Sequence, residues 1–275
     1  MKKFLVPLDF SETSAHTLQF VFEFNKHFFA QLDLIHLFDV PFAIADEEGQ
    51  LLTGYEAYRK NFEDDLWEFV NEHKGEYHYD IKVHASAGGY YQGIMGFAKQ
   101  AGSELIIVGN RGTGKSKPFR FGSVAKYLIT HPEVPVLAVP EDFEAKEFKK
   151  IVVATDLSDT IPESHFTYIK NFADRLNSSI NAIHVNLKNE TELEGEYEFI
   201  RKIEKQFGTK PVMINKKANL HVYETIRDYM QENDAQVLVT FPHRHSWLDQ
   251  LFLGSETANV LRNSNVLVLS MPERV

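Results

Sequence analysis

One block of sequence occurs twice, and that constrains the fold more than any other feature. Ile151-Val152-Val153-Ala154-Thr155-Asp156-Leu157-Ser158 repeats the plan of Phe4-Leu5-Val6-Pro7-Leu8-Asp9-Phe10-Ser11. Ile183-His184-Val185 echoes Ile35-His36-Leu37, and Val237-Leu238-Val239 echoes Ile106-Ile107-Val108. Leu253-Gly254-Ser255 echoes Phe121-Gly122-Ser123, and Val266-Leu267-Val268-Leu269 echoes Val136-Leu137-Ala138-Val139. Early echoes are offset by about 147 residues and late ones by about 132, so the second copy is shorter. Two domains are expected, at 1–143 and 149–275, joined by the charged stretch from Glu141 to Glu147.

Within each copy, apolar β-rich runs alternate with amphipathic stretches. Phe4 to Leu8 reads as a strand, and Ser11-Glu12-Thr13-Ser14 supplies cap-like residues for a helix carrying Leu18, Val21, Phe22 and Phe29. Leu32 to Phe38 and Tyr79 to Ala85 read as strands, and Glu47 to Lys74 and Tyr91 to Gln100 as helices. Leu105-Ile106-Ile107-Val108 is unbrokenly apolar, as a strand covered on both faces must be. A helix from Ser123 to Ile129 and a strand from Val136 to Val139 close the copy. Strand–helix alternation implies right-handed crossovers and a parallel sheet with helices on both faces. The expected fold class is α/β: two tandem open parallel sheets. Ligands of such sheets bind beyond the carboxyl ends of the strands, where strand order reverses. That gathers Asp9, Leu37 and the loop after Val108 around one crevice.

Composition narrows the function. The 275 residues are 43% hydrophobic and hold no cysteine, which excludes a disulfide framework, a thiol nucleophile and thiolate metal sites. A net charge of −10 argues against a general nucleic-acid binder, though not against a small anion in a local site. Lys2 and Lys3 precede a short apolar run that meets Pro7 and Asp9, too short for a signal-peptide core. No stretch is long and apolar enough for a transmembrane helix, and the cytoplasm is the expected location.

Residues 109–116, Gly109-Asn110-Arg111-Gly112-Thr113-Gly114-Lys115-Ser116, satisfy the P-loop pattern letter for letter. They also satisfy Gly-x-x-Gly, nine residues, Gly-Ser, through Gly109, Gly112, Gly122 and Ser123. A P-loop needs a helix starting at its Lys-Ser step. Here Lys117-Pro118 follows, and proline biases the residue before it away from helical geometry. The better helix start is Gly122-Ser123, with Ser123 as cap. Gly109 and Gly112 then let backbone approach a ligand, and the helix N-terminus at Gly122 and Ser123 favours an anion. Arg111, Lys115, Lys117 and Arg120 bring positive charge. A nucleotide phosphate chain is the ligand this pattern suits.

These residues carry a resemblance. Val6-Pro7-Leu8-Asp9-Phe10-Ser11, Ile35-His36-Leu37 and the Gly109, Gly112, Gly122, Ser123 spacing resemble the universal stress protein family in its tandem two-domain form, nearly end to end. The resemblance implies five-stranded Rossmann-like sheets of order 3-2-1-4-5 that bind ATP or a related adenine nucleotide, ADP or AMP. It implies that Pro7, Leu8 and Asp9 frame adenine and ribose, and that Leu37 main-chain groups contact the base. Gly109, Arg111, Gly112, Gly122, Ser123 and Val124 would line ribose and phosphates. The second copy departs: Phe241 and Arg244 replace its two loop glycines, so it is not expected to bind ATP in the family manner.

Several bland readings compete. Asp9 is a candidate helix cap. His36 and His184 read as satisfied structural histidines inside strands. His243 and His245 are too few for a metal site. Glu63, Asp64 and Asp65 read as a solvated helix face, and Phe20, Phe22, Phe24, Phe28 and Phe29 as core and interface. The function expected is an ATP-binding stress-response sensor or regulator. Nucleotide would order the loop from Asn110 to Phe121, and the second domain would pair pseudo-symmetrically through the last strands. A homodimer is a further expectation; nucleic-acid and membrane partners are not. Two alternatives stand beside it: a slow ATPase with Lys115, Arg111 and a magnesium ion near Asp9, and an interaction scaffold that no longer needs nucleotide.

Overall fold

The computed structural model describes residues 2–39, 54–78, 80–110, 122–144, 147–155, 161–186, 194–209, 212–215, 222–242 and 266–272. The first half runs β1 (Lys3–Pro7), α1 (Glu12–Asn25), β2 (Gln31–Phe38), α2 (Gly54–His73), β3 (Ile81–Ala87), α3 (Tyr90–Ala101), β4 (Leu105–Gly109), α4 (Ser123–Thr130) and β5 (Val136–Val139). The second runs β6 (Lys150–Thr155), α5 (Glu163–Leu176), β7 (Ser179–Asn186), α6 (Glu194–Phe207), β8 (Val212–Asn215), α7 (Val222–Glu232), β9 (Val237–Thr240) and β10 (Leu267–Ser270).

Both expected five-stranded parallel arrays are present. The strands follow one another as β3-β2-β1-β4-β5-β10-β9-β6-β7-β8. Each half therefore has the local order 3-2-1-4-5, and all its internal pairings are parallel. The halves meet at one antiparallel pairing, with Leu269 of β10 opposite Leu137 of β5. Two sheets thus become one ten-stranded sheet. Neither short apolar last strand is left as an open edge, which would otherwise invite pairing with another chain.

The central strands are buried on both faces, as their apolar runs required. On one face a single core joins the halves: Phe24 and Phe28 beyond β1 pack on Phe148 and Phe172. Phe143 sits 5.5 Å from Phe20, ring to ring, and is buried. The charged connection between the halves is therefore anchored by two aromatic side chains, which its composition hid. On the other face there are two cores, one of Leu5, Ile35, Ile94 and Ile106 that also takes in Val268 of β10, and one of Val152, Ile183, Ile226 and Leu238 in the second half.

Phe22 and Tyr77 stack at 4.4 Å, and Phe20, Phe24 and Phe28 form the inter-half contact. Phe29 does not belong with them. It follows the helix, takes a left-handed φ of 53° and is 59% exposed. Asn25 closes that turn, its carboxamide bonded both ways to Ala30, and the hydrogen bond from Phe29 N–H to Asn25 O at 2.8 Å forces the reversal. Helical spacing of apolar residues could not register a chain that had already left the helix.

Candidate functional site

In a 3-2-1-4-5 sheet the chain winds one way from β1 to β3 and the other way from β4 to β5, so the switch point lies between β1 and β4. Of the residues named from the sequence, those described lie at the ends of the strands and the helix that flank it. Pro7 ends β1, and Leu8 extends the ladder by donating its N–H to Ile35 O at 2.9 Å. Leu37 lies near the end of β2, buried and opposite Ser86. Gly109 ends β4, opposite Val139. Gly122, Ser123 and Val124 begin α4. Arg111 and Gly112, with Lys115, Lys117 and Arg120, lie outside the described residues.

Asp9 is not the helix cap. Ser11 is: its hydroxyl oxygen accepts the Ser14 N–H at 3.1 Å. Asp9 organises that cap instead. Its Oδ1 accepts the Ser11 N–H at 3.2 Å, the Ser11 hydroxyl at 2.6 Å and the Ser14 hydroxyl at 2.7 Å. Ser14 Oγ in turn accepts the Asp9 N–H at 3.0 Å. The turn between them carries Phe10 at φ 60°, a strained conformation for a bulky residue. Its ring is held 4.5 Å from His36 and 5.6 Å from Phe69. The spacing Asp9-x-Ser11-x-x-Ser14 was the signal for this network.

His36 is satisfied structurally, with Nδ1 2.9 Å from Leu8 O. Glu63 pairs with Arg59 at 2.9 Å while Asp64 and Asp65 are exposed, as a solvated helix face requires. Among the described residues no group of three or more His, Asp or Glu side chains is placed to hold a metal ion. His243 and His245 lie outside them.

The start of α4 differs from expectation in one respect. Ser123 is the first helical residue, and Gly122 is the cap. Gly122 spends its N–H on Asn110 O at 2.6 Å, which pins α4 against the end of β4. A glycine cap has no side chain to accept the first-turn N–H groups, so those of Ser123, Val124 and Ala125 have no intrahelical acceptor. An anion is the natural complement. On the same side of the crevice α3 closes tightly on β2: a Cβ added to Gly93 would sit 3.0 and 3.2 Å from the Leu37 methyls.

In the second half Phe241 stands where Gly109 stands in the first, and it is buried. The remainder of that loop, and Asp156, Ser158, Gly254 and Ser255, lie outside the described residues. Among the described residues no helix is long and apolar enough to cross a membrane.

The model of the universal stress protein family matches residues 1–140 and again 147–272. Two universal stress proteins of Methanocaldococcus jannaschii are similar to half of the chain. One is 28% identical over 152 residues, 50% of this chain and 94% of that protein; the other is 27% identical over 139 residues, 50% of this chain and 81% of that protein. Among solved structures, a universal stress protein from Archaeoglobus fulgidus matches with a TM-score of 0.70 at 18% identity, covering 99% of this chain and 98% of that one. A Pseudomonas aeruginosa protein matches with a TM-score of 0.63 at 16% identity, covering 99% of this chain and 92% of that one. At such identities these structures establish the fold alone.

Proposed function

The chain belongs to the universal stress protein family, and from that premise we propose that its first half binds an adenine nucleotide, ATP, ADP or AMP, as a stress-response sensor or regulator. The observation that carries the reading is the start of α4. Its first-turn donors have no capping side chain, and the Gly122–Asn110 hydrogen bond sets them beside the end of β4 at the switch point. In the proposed pose the base lies against the Leu37 main chain, with Pro7, Leu8 and Asp9 framing base and ribose. Gly109, Ser123 and Val124 lie along the phosphates, with Arg111, Gly112 and Gly122 completing the loop. From β2 to β4 is two strand spacings, roughly 10 Å, a span suited to a nucleoside.

The second half serves as a built-in pseudo-symmetric partner. It shares the β5–β10 pairing and one continuous core with the first. Buried Phe241 occupies the position where backbone would otherwise approach phosphate. One nucleotide per chain follows. A homodimer of whole chains must use a surface other than these two strands.

Magnesium does not suit Asp9 Oδ1, at which three donors already point. Binding is the proposed role, and no step is routed through a metal. The test is to purify the full chain, extract it with acid and identify the nucleotide released, then assay turnover on the wild type and on Gly112→Val. An adenine nucleotide near one per chain, without turnover, is expected. Turnover abolished by the substitution would support the slow ATPase. Failure to carry or bind any adenine nucleotide would sink the proposal and leave the scaffold.

A further inference from the structure

Asn110 carries a feature that the fold does not need. Its main chain is tied on both sides: the N–H donates to Val139 O at 2.9 Å, and the carbonyl accepts from Gly122 N–H at 2.6 Å. Its side-chain Oδ1 is buried and has no hydrogen-bond partner among the described residues. Burying an acceptor without a donor is costly, so such groups are nearly always met by something. Alternation along β4 puts Asn110 on the sheet face of Ile106 and Val108, where α4 packs. The orphaned acceptor therefore lies beside the end of β4 and the start of α4. In the second half this position is Pro242, behind buried Phe241, so the acceptor is absent where the glycine is absent too.

The chemistry of the missing partner is restricted. A carboxamide oxygen needs a donor, and phosphate oxygens at neutral pH are chiefly acceptors. In a nucleotide the donors are the base amino group and the ribose hydroxyls. With the base against Leu37 on β2, roughly 10 Å away across β1, the sugar is the part that reaches β4. We propose that Asn110 Oδ1 accepts a hydrogen bond from a ribose hydroxyl, so that the first-half site selects ribonucleotides over deoxyribonucleotides. This rests on the nucleotide reading above.

The test titrates the full chain, stripped of nucleotide, with ATP, 2′-deoxy-ATP and 3′-deoxy-ATP by calorimetry. The wild type is expected to bind ATP about tenfold more tightly than at least one deoxy analogue. In Asn110→Ala, ATP affinity falls to that of the disfavoured analogue, and the preference disappears. Equal wild-type affinities for all three, or a preference that survives in Asn110→Ala, overturns the assignment while leaving nucleotide binding intact. No binding of any of the three overturns the nucleotide reading with it. The wild-type comparison needs no substitution, so the proposal stays testable even if Asn110→Ala fails to fold.

Discussion

His36 donates from Nδ1 to the main-chain oxygen of Leu8 at 2.9 Å. The carbonyl can only accept, so this contact fixes the tautomer of the neutral ring. His184 repeats the bond to Thr155 O at 2.9 Å in the second half. Both tie the end of the second strand of a unit to the end of its first. His36→Phe keeps an aromatic ring beside Phe10 and Phe62 but removes the donor. A loss of about 1 kcal/mol is expected by urea denaturation, and an unchanged midpoint would count against a structural role.

Asp9, Ser11 and Ser14 act as one unit, because each hydroxyl both donates to Asp9 Oδ1 and accepts a main-chain N–H. Asp9→Ala should cost about 2 kcal/mol. Combined with Ser14→Ala, the two losses should fall short of their sum by about 1 kcal/mol. Strict additivity in that double-mutant cycle would show that the bonds are independent.

Gly93 allows α3 to approach the Leu37 side chain. Gly93→Ala should displace Leu37 and weaken ATP binding several-fold, with helix content by circular dichroism unchanged. Wild-type affinity in this variant would mean that the Leu37 methyls yield without moving the main chain.

Phe29 holds a left-handed conformation at φ 53°, two residues before β2. Asn177 holds φ 54°, two residues before β7. Asparagine adopts this region readily, and phenylalanine adopts it only at a cost in strain. Phe29→Asn should raise stability by roughly 0.5 kcal/mol, read as a higher melting temperature; a lower one would show that contacts of the exposed ring outweigh the strain.

Tyr168 donates its hydroxyl to Glu104 O at 3.1 Å, linking α5 to the start of β4. Burial first, and the Glu104 carboxylate second, raise the phenol above its ordinary pKa. A raised folded-state value gives a stabilising contribution that is complete below the unfolded pKa of about 10 and is lost as pH climbs above it. Tyr168→Phe should cost about 1 kcal/mol at pH 7 and lose less stability than the wild type between pH 9 and 11. Parallel pH profiles would refute the assignment.

The sequence by itself determined the two α/β units and the strand ends around the crevice. Apolar periodicity and strand-terminal residues such as Asp9, Gly109 and Gly122 are local, and their meaning survives without a partner. Phe29 marks the limit of that logic, since its spacing looked helical while a main-chain bond to Asn25 had already turned the chain. Only the tertiary structure decided that the two arrays fuse through β5 and β10 and that Phe143 and Phe148 seal the connection. It also decided that Gly122 gives its N–H to Asn110 and that the Asn110 Oδ1 is left buried without a donor among the described residues. Each of these depends on which groups from different elements come within a few ångströms, and no local pattern of residue types encodes that distance.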